Sequence, residues 1–560
     1  MKHLLLSLFL ALAALHPVAQ TVGLITKQPG SLDGYVLMSP ISAKTTYLID
    51  KCGYPVHSWA TNRYCGLTAY LMPDGTLFRP ADTMTTHFNM PGHGGIIEKF
   101  DWDGNRLWYY QVFSDSDMHH HDIVPLPNGH VLVLMWELKT AAQAIAAGRD
   151  PANISSEGIW SEKIIEIEPV GATGGNVVWE WHAWDHLVQH HDISKANYGV
   201  VAQHPELLNL NYIGGTIATQ IDSADWLHCN SLAYNAKLDQ IILNSRNLSE
   251  MWFIDHSTTT AQSKSHTGGA HGKGGDFLYR WGNPAVYEAA TSANEILYGE
   301  HNPHWIDSGL VGAGNIIVFN NGVGRPNGFY SQVEIFAPPV DVNGDYTLVP
   351  NQAYKPDSAY WKYTASPRHS LFSPRISGAQ RLSNGNTLIC EGDSGVIFEI
   401  DAANNEVWRY INPVTHTGII SQGDTTDMGN IIFKCQFFEP SYSAFAGHTL
   451  TPGAPLELNP LPYNCNMLNG IAETLSAAGT AIKAVNPFAG ELWIEADTNL
   501  PNAEMILLDV TGRPVANFGS TSLAANSPAL FKPENSLSAG VYFLNINSEG
   551  QHFVIKLIHP

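Results

Sequence analysis

Three histidines occupy one position of an internal repeat. His121 lies seven residues before Asn128 of an Asn–Gly turn, His228 seven before Asn235, and His301 seven before Ser308 of a Ser–Gly turn. Ser377 lies seven before Asn384 of another Asn–Gly turn. Four consecutive units thus carry a polar side chain at an equivalent point, and three of the four are imidazoles. In a chain with 25 histidines an isolated ring means little, and each could be a satisfied core or loop residue. Registration is the signal, because equivalent positions on neighbouring repeats converge on one cavity. Asn230 follows His228 by two residues, so on a regular strand both face the same way and Cys229 faces the opposite way, into the sheet. Arg246, on the next strand of that unit, can reach the same cavity, although a surface cation is the commoner fate of arginine.

Two chemistries fit such a set. Three neutral imidazoles could hold zinc with an open position. Arg246, with Asn230 and protonated imidazoles, instead suits a tetrahedral oxyanion such as sulfate or phosphate. A group-transfer site needs a nucleophile, anion clamps and a proton donor for the leaving group, and histidine can be the first and the last. His119 and His120 precede His121 and are expected to tune it or line the mouth. His182, His186 and His190 have helical spacing; they could form a metal face, but are expected to belong to an insertion over the rim. GAHGKGGD lacks the strand–helix context of a phosphate loop and is read as a rim loop. No metal and no cofactor is expected.

The repeat that carries these residues predicts the fold. Each unit pairs a hairpin built on an Asn–Gly or Asp–Gly type turn with a second hairpin that ends on tryptophan. The tryptophans are Trp59, Trp108, Trp179 with Trp181, Trp281, Trp361 and Trp408. Each unit is about four short strands, and the closest spacings match the ~40–50 residues of a propeller blade. Six units are expected over residues 21–465, with insertions at 137–160, 182–225 and 256–275. The first, from Gly34, lacks its innermost strand, which segment 415–437 is expected to supply, closing the ring. The fold class is therefore all-β: a six-bladed propeller, a linker at 466–483, and a small β-sandwich over 484–560.

Composition narrows the partners. The net charge of −22 gives no footprint for nucleic acid and disfavours anionic membrane surfaces. Only 14% of residues are charged and 44% are hydrophobic, which excludes a disordered chain. Residues 1–20 have a basic start, a short apolar stretch and a small residue at Ala19, the pattern of a secretory signal peptide cut near Ala19–Gln20. No later stretch approaches the ~20 apolar residues of a membrane span. An exported, soluble protein is expected. Six cysteines permit disulfides there, with Cys52–Cys65 and Cys435–Cys465 plausible by proximity.

The segments HHDIVPLPNGHVLVL, DWLHCNSLAYNAKLDQIILNSR, GKGGDFLYRWGNP, GEHNPHWI, GNIIVFNNG and AFAGHTLTP resemble the bacterial aryl-sulfate sulfotransferases that do not use phosphoadenylyl sulfate. The His–x–Asn of His228 and Asn230, with Arg246 sixteen residues on, is the most specific match. The resemblance implies a six-bladed propeller and ping-pong transfer from an aryl sulfate to a phenol through a sulfohistidine. It implies His301 as nucleophile, with Glu300 where the family has Gln and His304 as a competitor for the role. His121, His228, Asn230 and Arg246 are implied around the sulfuryl group, with His120, His304 and Ser377 as further substrate-binding positions. Known members carry a β-sandwich before the propeller, whereas only about a dozen mature residues are expected before Gly34, which puts the family's dimeric assembly in question and leaves the oligomeric state open. LLDVTGRPV with LSAGVYFLNINSEGQHFVIKLI resembles the C-terminal sorting domain of type IX secretion, which implies that machinery as a partner and delivery to the cell surface or medium. Rival readings of the histidines are a metal-dependent hydrolase or lyase, or a non-catalytic surface-binding propeller.

Overall fold

The structure, a computed structural model, describes residues 20–83, 88, 90–213, 224–424, 426, 429–460, 465, 472–475, 481–484, 492–509, 512–533, 537–538, 540–549 and 551–559. Nearly all of the expected signal peptide therefore lies outside the described residues. The alternating apolar segments fold as antiparallel strands, and five four-stranded sheets and one five-stranded sheet follow one another along the chain up to residue 438. The first takes Tyr35–Pro40, Thr45–Asp50 and Pro55–Ala60, with Ile432–Phe438 added on its inner side. The second runs from Tyr70–Leu71 to Arg106–Gln111 and the third from Asp117–Pro125 to Gly174–His182. The fourth runs from Cys229–Asn235 to Tyr279–Trp281 and the fifth from His301–Trp305 to Trp361–Tyr363. The sixth runs from Gly378–Arg381 to Glu406–Ile411 and gains a fifth strand, Gly23–Lys27, which the sequence did not predict.

The repeated tryptophan is explained by what it bonds. Trp59 of the first sheet donates its indole N–H to the Asp101 carbonyl of the second at 3.0 Å. Trp108 donates to Gly174 of the third at 2.7 Å, and Trp181 to Gly275, just before the last strand of the fourth, at 2.7 Å. Trp281 donates to Pro356 at 2.7 Å, ahead of the last strand of the fifth, and Trp408 of the sixth returns to Lys51 of the first at 2.8 Å. Between the fifth and sixth sheets the link is a cation–π contact, Arg381 over Trp361 at 4.7 Å. Each of the five indole links combines a large buried ring with one satisfied donor, so the sheets are stitched in order. The return link is reinforced by a buried ion pair, Lys51 Nζ to Glu399 Oε2 at 2.6 Å.

The one disulfide among the described residues is Cys52–Cys465, which corrects both expected pairings. Proximity in sequence misled because Cys52 and Cys465 meet where the first and sixth sheets join. Cys65, Cys229, Cys390 and Cys435 are free thiols.

Beyond residue 465 lie two more four-stranded sheets sharing one core that includes Ile482, Ile494, Met505, Leu544 and Phe553. The segment expected to be a linker contributes Ala472–Leu475 and most of Ala481–Ala484 to the first of them. Its alanine- and glycine-rich composition hid the short alternation of buried Ile482, exposed Lys483 and buried Ala484. No helix among the described residues is long and apolar enough to cross a membrane.

The inner strands position the functional side chains. Cys229–Asn235 packs between Asp117–Pro125 and His301–Trp305, and Gly378–Arg381 packs against Ile432–Phe438. Within five of them, or in the three residues before, a non-glycine residue takes positive φ: Leu67 (93°), His121 (55°), His228 (45°), Asn302 (54°), and Ile376 with Ser377 (51° and 90°). Such backbone costs roughly 1–2 kcal/mol per residue and persists only where surroundings over-determine it. The inner strands of the third, fourth and fifth sheets also carry register shifts at this level.

Candidate functional site

The left-handed kinks turn three imidazoles toward a cavity of about 520 Å3 whose lining includes His121, His228, Arg246, His301, Asp225 and Arg375. The His121 and His228 ring centroids are 4.7 Å apart. Phe433, buried on the inner strand of the first sheet, has its ring 5.9 Å from His121 and 6.0 Å from His301.

Each imidazole has its Nδ1 engaged. Asn321 donates its amide hydrogens to the carbonyls of Ser373 and Ile376 at 2.8 and 2.9 Å, so its oxygen can only accept. That oxygen lies 2.8 Å from His301 Nδ1, which therefore carries the proton. Nε2 of His301 is then the lone-pair nitrogen, and it accepts the Ile376 N–H at 3.0 Å. Burial, followed by the nearby Arg246 cation, holds the His301 pKa well below the ordinary histidine value, so the ring stays neutral. His228 Nδ1 is held by a very short bond to Asp225 Oδ2. His121 Nδ1 meets His120 Nδ1 at 2.8 Å, and burial, then the charge of His228, pushes the His121 pKa well down. In His121 and His228 Nε2 makes no hydrogen bond among the described residues, and in His301 it is held only by the Ile376 N–H.

Arg246 donates to the Pro374 carbonyl at 3.2 Å and has no ion pair among the described residues. Burial lowers its pKa first and Asp225 opposes that, and the guanidinium remains a cation. Arg375 Nε is paired with Asp393 at 2.5 Å. At the rim His93 Nδ1 lies 2.9 Å from Asp82 Oδ1, and that bond raises the His93 pKa.

Of the eight expected site residues, His121, His228, Arg246 and His301 line this cavity and the others do not. Asn230 is buried below it. Its Nδ2 donates to the Glu300 carbonyl at 2.8 Å and its oxygen accepts from Ser231 and Asn244, so it fastens the residue before His301. The register shift between Cys229 and Ser231 breaks the alternation that would have aimed it beside His228. His304 lines a different cavity, past the shift between His301 and His304. Ser377 turns its hydroxyl to Ser373 Oγ at 2.8 Å. His120 is a supporting residue, stacked on Trp136 with ring centroids 4.1 Å apart. Sequence reasoning missed Asp225, Asn321, Glu162 and Arg375. Asp225 was the most accessible of them, three residues before His228 in DWLH.

His182, His186 and His190 do not converge: His182 bonds Glu137 and Glu180, His186 bonds Asp276 and Ser263, and His190 faces Glu288. The one group among the described residues whose possible ligand atoms lie within 4.8 Å of one another is His186, His266 and Asp276. Both Nδ1 atoms there sit 2.7–2.8 Å from the same Asp276 oxygen, which is hydrogen-bond geometry. The cavity itself, with the neutral rings of His121 and His301 beside a desolvated guanidinium, can bind a compact anion and offer it an unprotonated imidazole nitrogen.

The arylsulfotransferase family model matches residues 35–417, which contain every residue lining this cavity except Ile431. No curated protein matches the chain significantly. Among solved structures, the chain is similar to a Bacteroides caccae protein of unknown function, with 11% identity, 72% of this chain and 98% of that one covered, and a TM-score of 0.37. It is also similar to a periplasmic gluconolactonase of Pseudomonas aeruginosa (11% identity, 90% and 99% covered, TM-score 0.35). A third is the virginiamycin B lyase of Staphylococcus aureus (10%, 71% and 86%, 0.31). Likeness of that degree assigns no chemistry.

Proposed function

The chain belongs to the arylsulfotransferase family, and on that premise we propose that it moves a sulfuryl group from an aryl sulfate to a phenolic acceptor by a ping-pong route through a sulfohistidine. The observation that carries this reading is the unprotonated Nε2 of neutral His301, held only by the Ile376 N–H, in one cavity with the Arg246 guanidinium. In the first half, Nε2 of His301 attacks sulfur, the Nε2–S bond forms, and the S–O bond to the aryl group breaks. Arg246 and a protonated His228, oriented by Asp225, hold the sulfuryl oxygens. The Ile376 N–H, displaced from Nε2 by the new bond, is placed to donate to one of them. His121 protonates the departing phenoxide. In the second half the same ring takes the proton of an entering phenol, whose oxygen accepts the sulfuryl group and frees His301. Positioning and charge stabilisation supply most of the rate, by analogy with phosphoryl transfer.

The six sheets are, in this proposal, the blades of one closed propeller, a reading supported by the circular order of the tryptophan links. The two sheets after residue 465 form a sandwich that serves as a type IX sorting domain, and residues 1–20 are an export signal. The expected partners are small-molecule donor and acceptor and that secretion machinery. The test is incubation with a chromogenic aryl sulfate with and without phenol. Phenol-dependent release, unaffected by a chelator, is expected; release indifferent to phenol indicates a sulfatase, and chelator-sensitive release a metal enzyme.

A further inference from the structure

Behind His121 lies a buried chain of groups that the reaction as written leaves unused. His120 Nδ1 is 2.8 Å from His121 Nδ1, and His120 Nε2 is 2.7 Å from Glu162 Oε2. Glu162 Oε1 accepts the Cys229 N–H at 3.0 Å. His120, His121 and Glu162 are 0%, 4% and 0% exposed, so no water competes for these bonds. Trp136 lies parallel to His120 at 4.1 Å and fixes its plane.

Each of the two links, N···N and N···O, needs a single proton between its atoms. That leaves two self-consistent arrangements. In one, Glu162 is protonated, His120 carries its proton on Nδ1 and His121 on Nε2, so His121 presents a donor to the cavity. In the other, Glu162 is a carboxylate, His120 is protonated on Nε2 and His121 on Nδ1, so His121 presents a lone pair.

We propose that Glu162 and His120 are positioning residues that form a two-step proton relay, converting His121 from acid to base between the halves of the transfer. The inference rests on the sulfuryl-transfer reading above. In the first half, His121 gives its Nε2 proton to the phenoxide. His120 passes its Nδ1 proton to His121 Nδ1, and Glu162 passes its proton to His120 Nε2. In the second half, the acceptor phenol gives its proton to His121 Nε2 and both transfers reverse. One proton leaves and one returns per cycle, no bare imidazolate or buried imidazolium is left behind, and no outside base is required. The environment agrees with the donor arrangement as the resting one: burial pushes the Glu162 carboxyl well above the usual range and the His120 ring well below its own, so both are neutral.

The test compares Glu162→Gln with the native chain on 4-nitrophenyl sulfate, whose leaving group needs no proton, and on phenyl sulfate, whose leaving group does. Gln keeps an acceptor for Cys229 N–H but cannot release a proton to His120. The relay predicts a loss of about a hundredfold with phenyl sulfate and of less than about tenfold with the nitrophenyl ester. An equal loss on both, or none on either, overturns it. His120→Phe keeps the stack on Trp136 and should show the same split, which guards against a Gln variant that does not fold. Nitrogen-15 spectra of the histidines in the native protein should show His121 protonated at Nε2 and His120 at Nδ1; the opposite tautomers overturn the relay. If the native chain shows no phenol-dependent transfer, the functional reading fails while those spectra still decide the relay.

Discussion

The two cavities at either end of the inner strands are built from the same repeat and differ in one respect. In the cavity that holds His301, each of the three converging rings has Nδ1 fixed by a neighbouring side chain, while Nε2 is open or, in His301, held only by the Ile376 N–H. In the other, of about 700 Å3, the buried charges cancel one another. Lys434 Nζ lies 2.8 Å from Asp122 Oδ2 and 2.7 Å from the Tyr70 hydroxyl, and Tyr70 donates to Asp122 Oδ1 at 2.7 Å. Asp122 also accepts the N–H groups of Ile123 and Leu232 at 3.0 and 3.1 Å. His121 and Asp122 are adjacent in sequence, as are Phe433 and Lys434, so a single step along an inner strand crosses from one regime to the other. Buried polarity by itself therefore marks structure as readily as function, and open valence is what separates them.

The sharpest break of this contrast is His301→Asn. It should lower transfer at least about a thousandfold with little change in melting temperature, because it removes the attacking nitrogen. Lys434→Met should do the reverse. It leaves Asp122 as an uncompensated buried carboxylate, so stability should fall by about 3–5 kcal/mol in denaturant titrations, with kcat of the folded fraction near the native value. Comparable losses of kcat in both variants would erase the distinction between the two ends.

Smaller effects sharpen it. Gly92 has φ of 105°, and a Cβ there would lie 2.0 Å from His121 Cε1. Gly92→Ala should displace that ring and cost about a hundredfold in kcat/KM, since misplacement by an ångström has that effect. The smallest concerns pH. His256, on the outside between Asp239 at 2.7 Å and Glu166 at 3.0 Å, has its pKa raised to about 9, where those two hydrogen bonds overcome burial. A raised histidine stabilises fully below its unfolded value and loses that contribution as pH climbs through 9. His256→Gln should therefore flatten stability between pH 6.5 and 9 by on the order of 1 kcal/mol, given that Asp239 is part exposed. Buried His119, pushed down to about 3 by desolvation, has the opposite sign: its contribution is lost as pH falls below its unfolded value.

Much of this architecture was legible in the chain. The tryptophan-ended repeat marked the sheets, and the seven-residue offset located His121, His228 and His301. Arg246 was legible because an apolar strand placed it near them. What escaped did so for local reasons. Positive φ at His228 and Asn302, with the register shifts beside them, defeats the alternation rule, so Asn230 and His304 turned away from the cavity. Asn321 and Glu162 act through partners 20 and 42 residues away, which no local spacing encodes. The pairing of Cys52 with Cys465 depends on the first and sixth sheets meeting, across a separation of 413 residues.

The most direct measurement is to mix the protein with excess 4-nitrophenyl sulfate in the absence of acceptor, quench, and map the chain by mass spectrometry. Sulfuryl transfer through His301 gives a burst of one nitrophenol per chain and a single added SO3 group on the peptide containing His301, lost on addition of phenol. A burst with the group on another residue, or steady turnover with no labelled peptide, would contradict it.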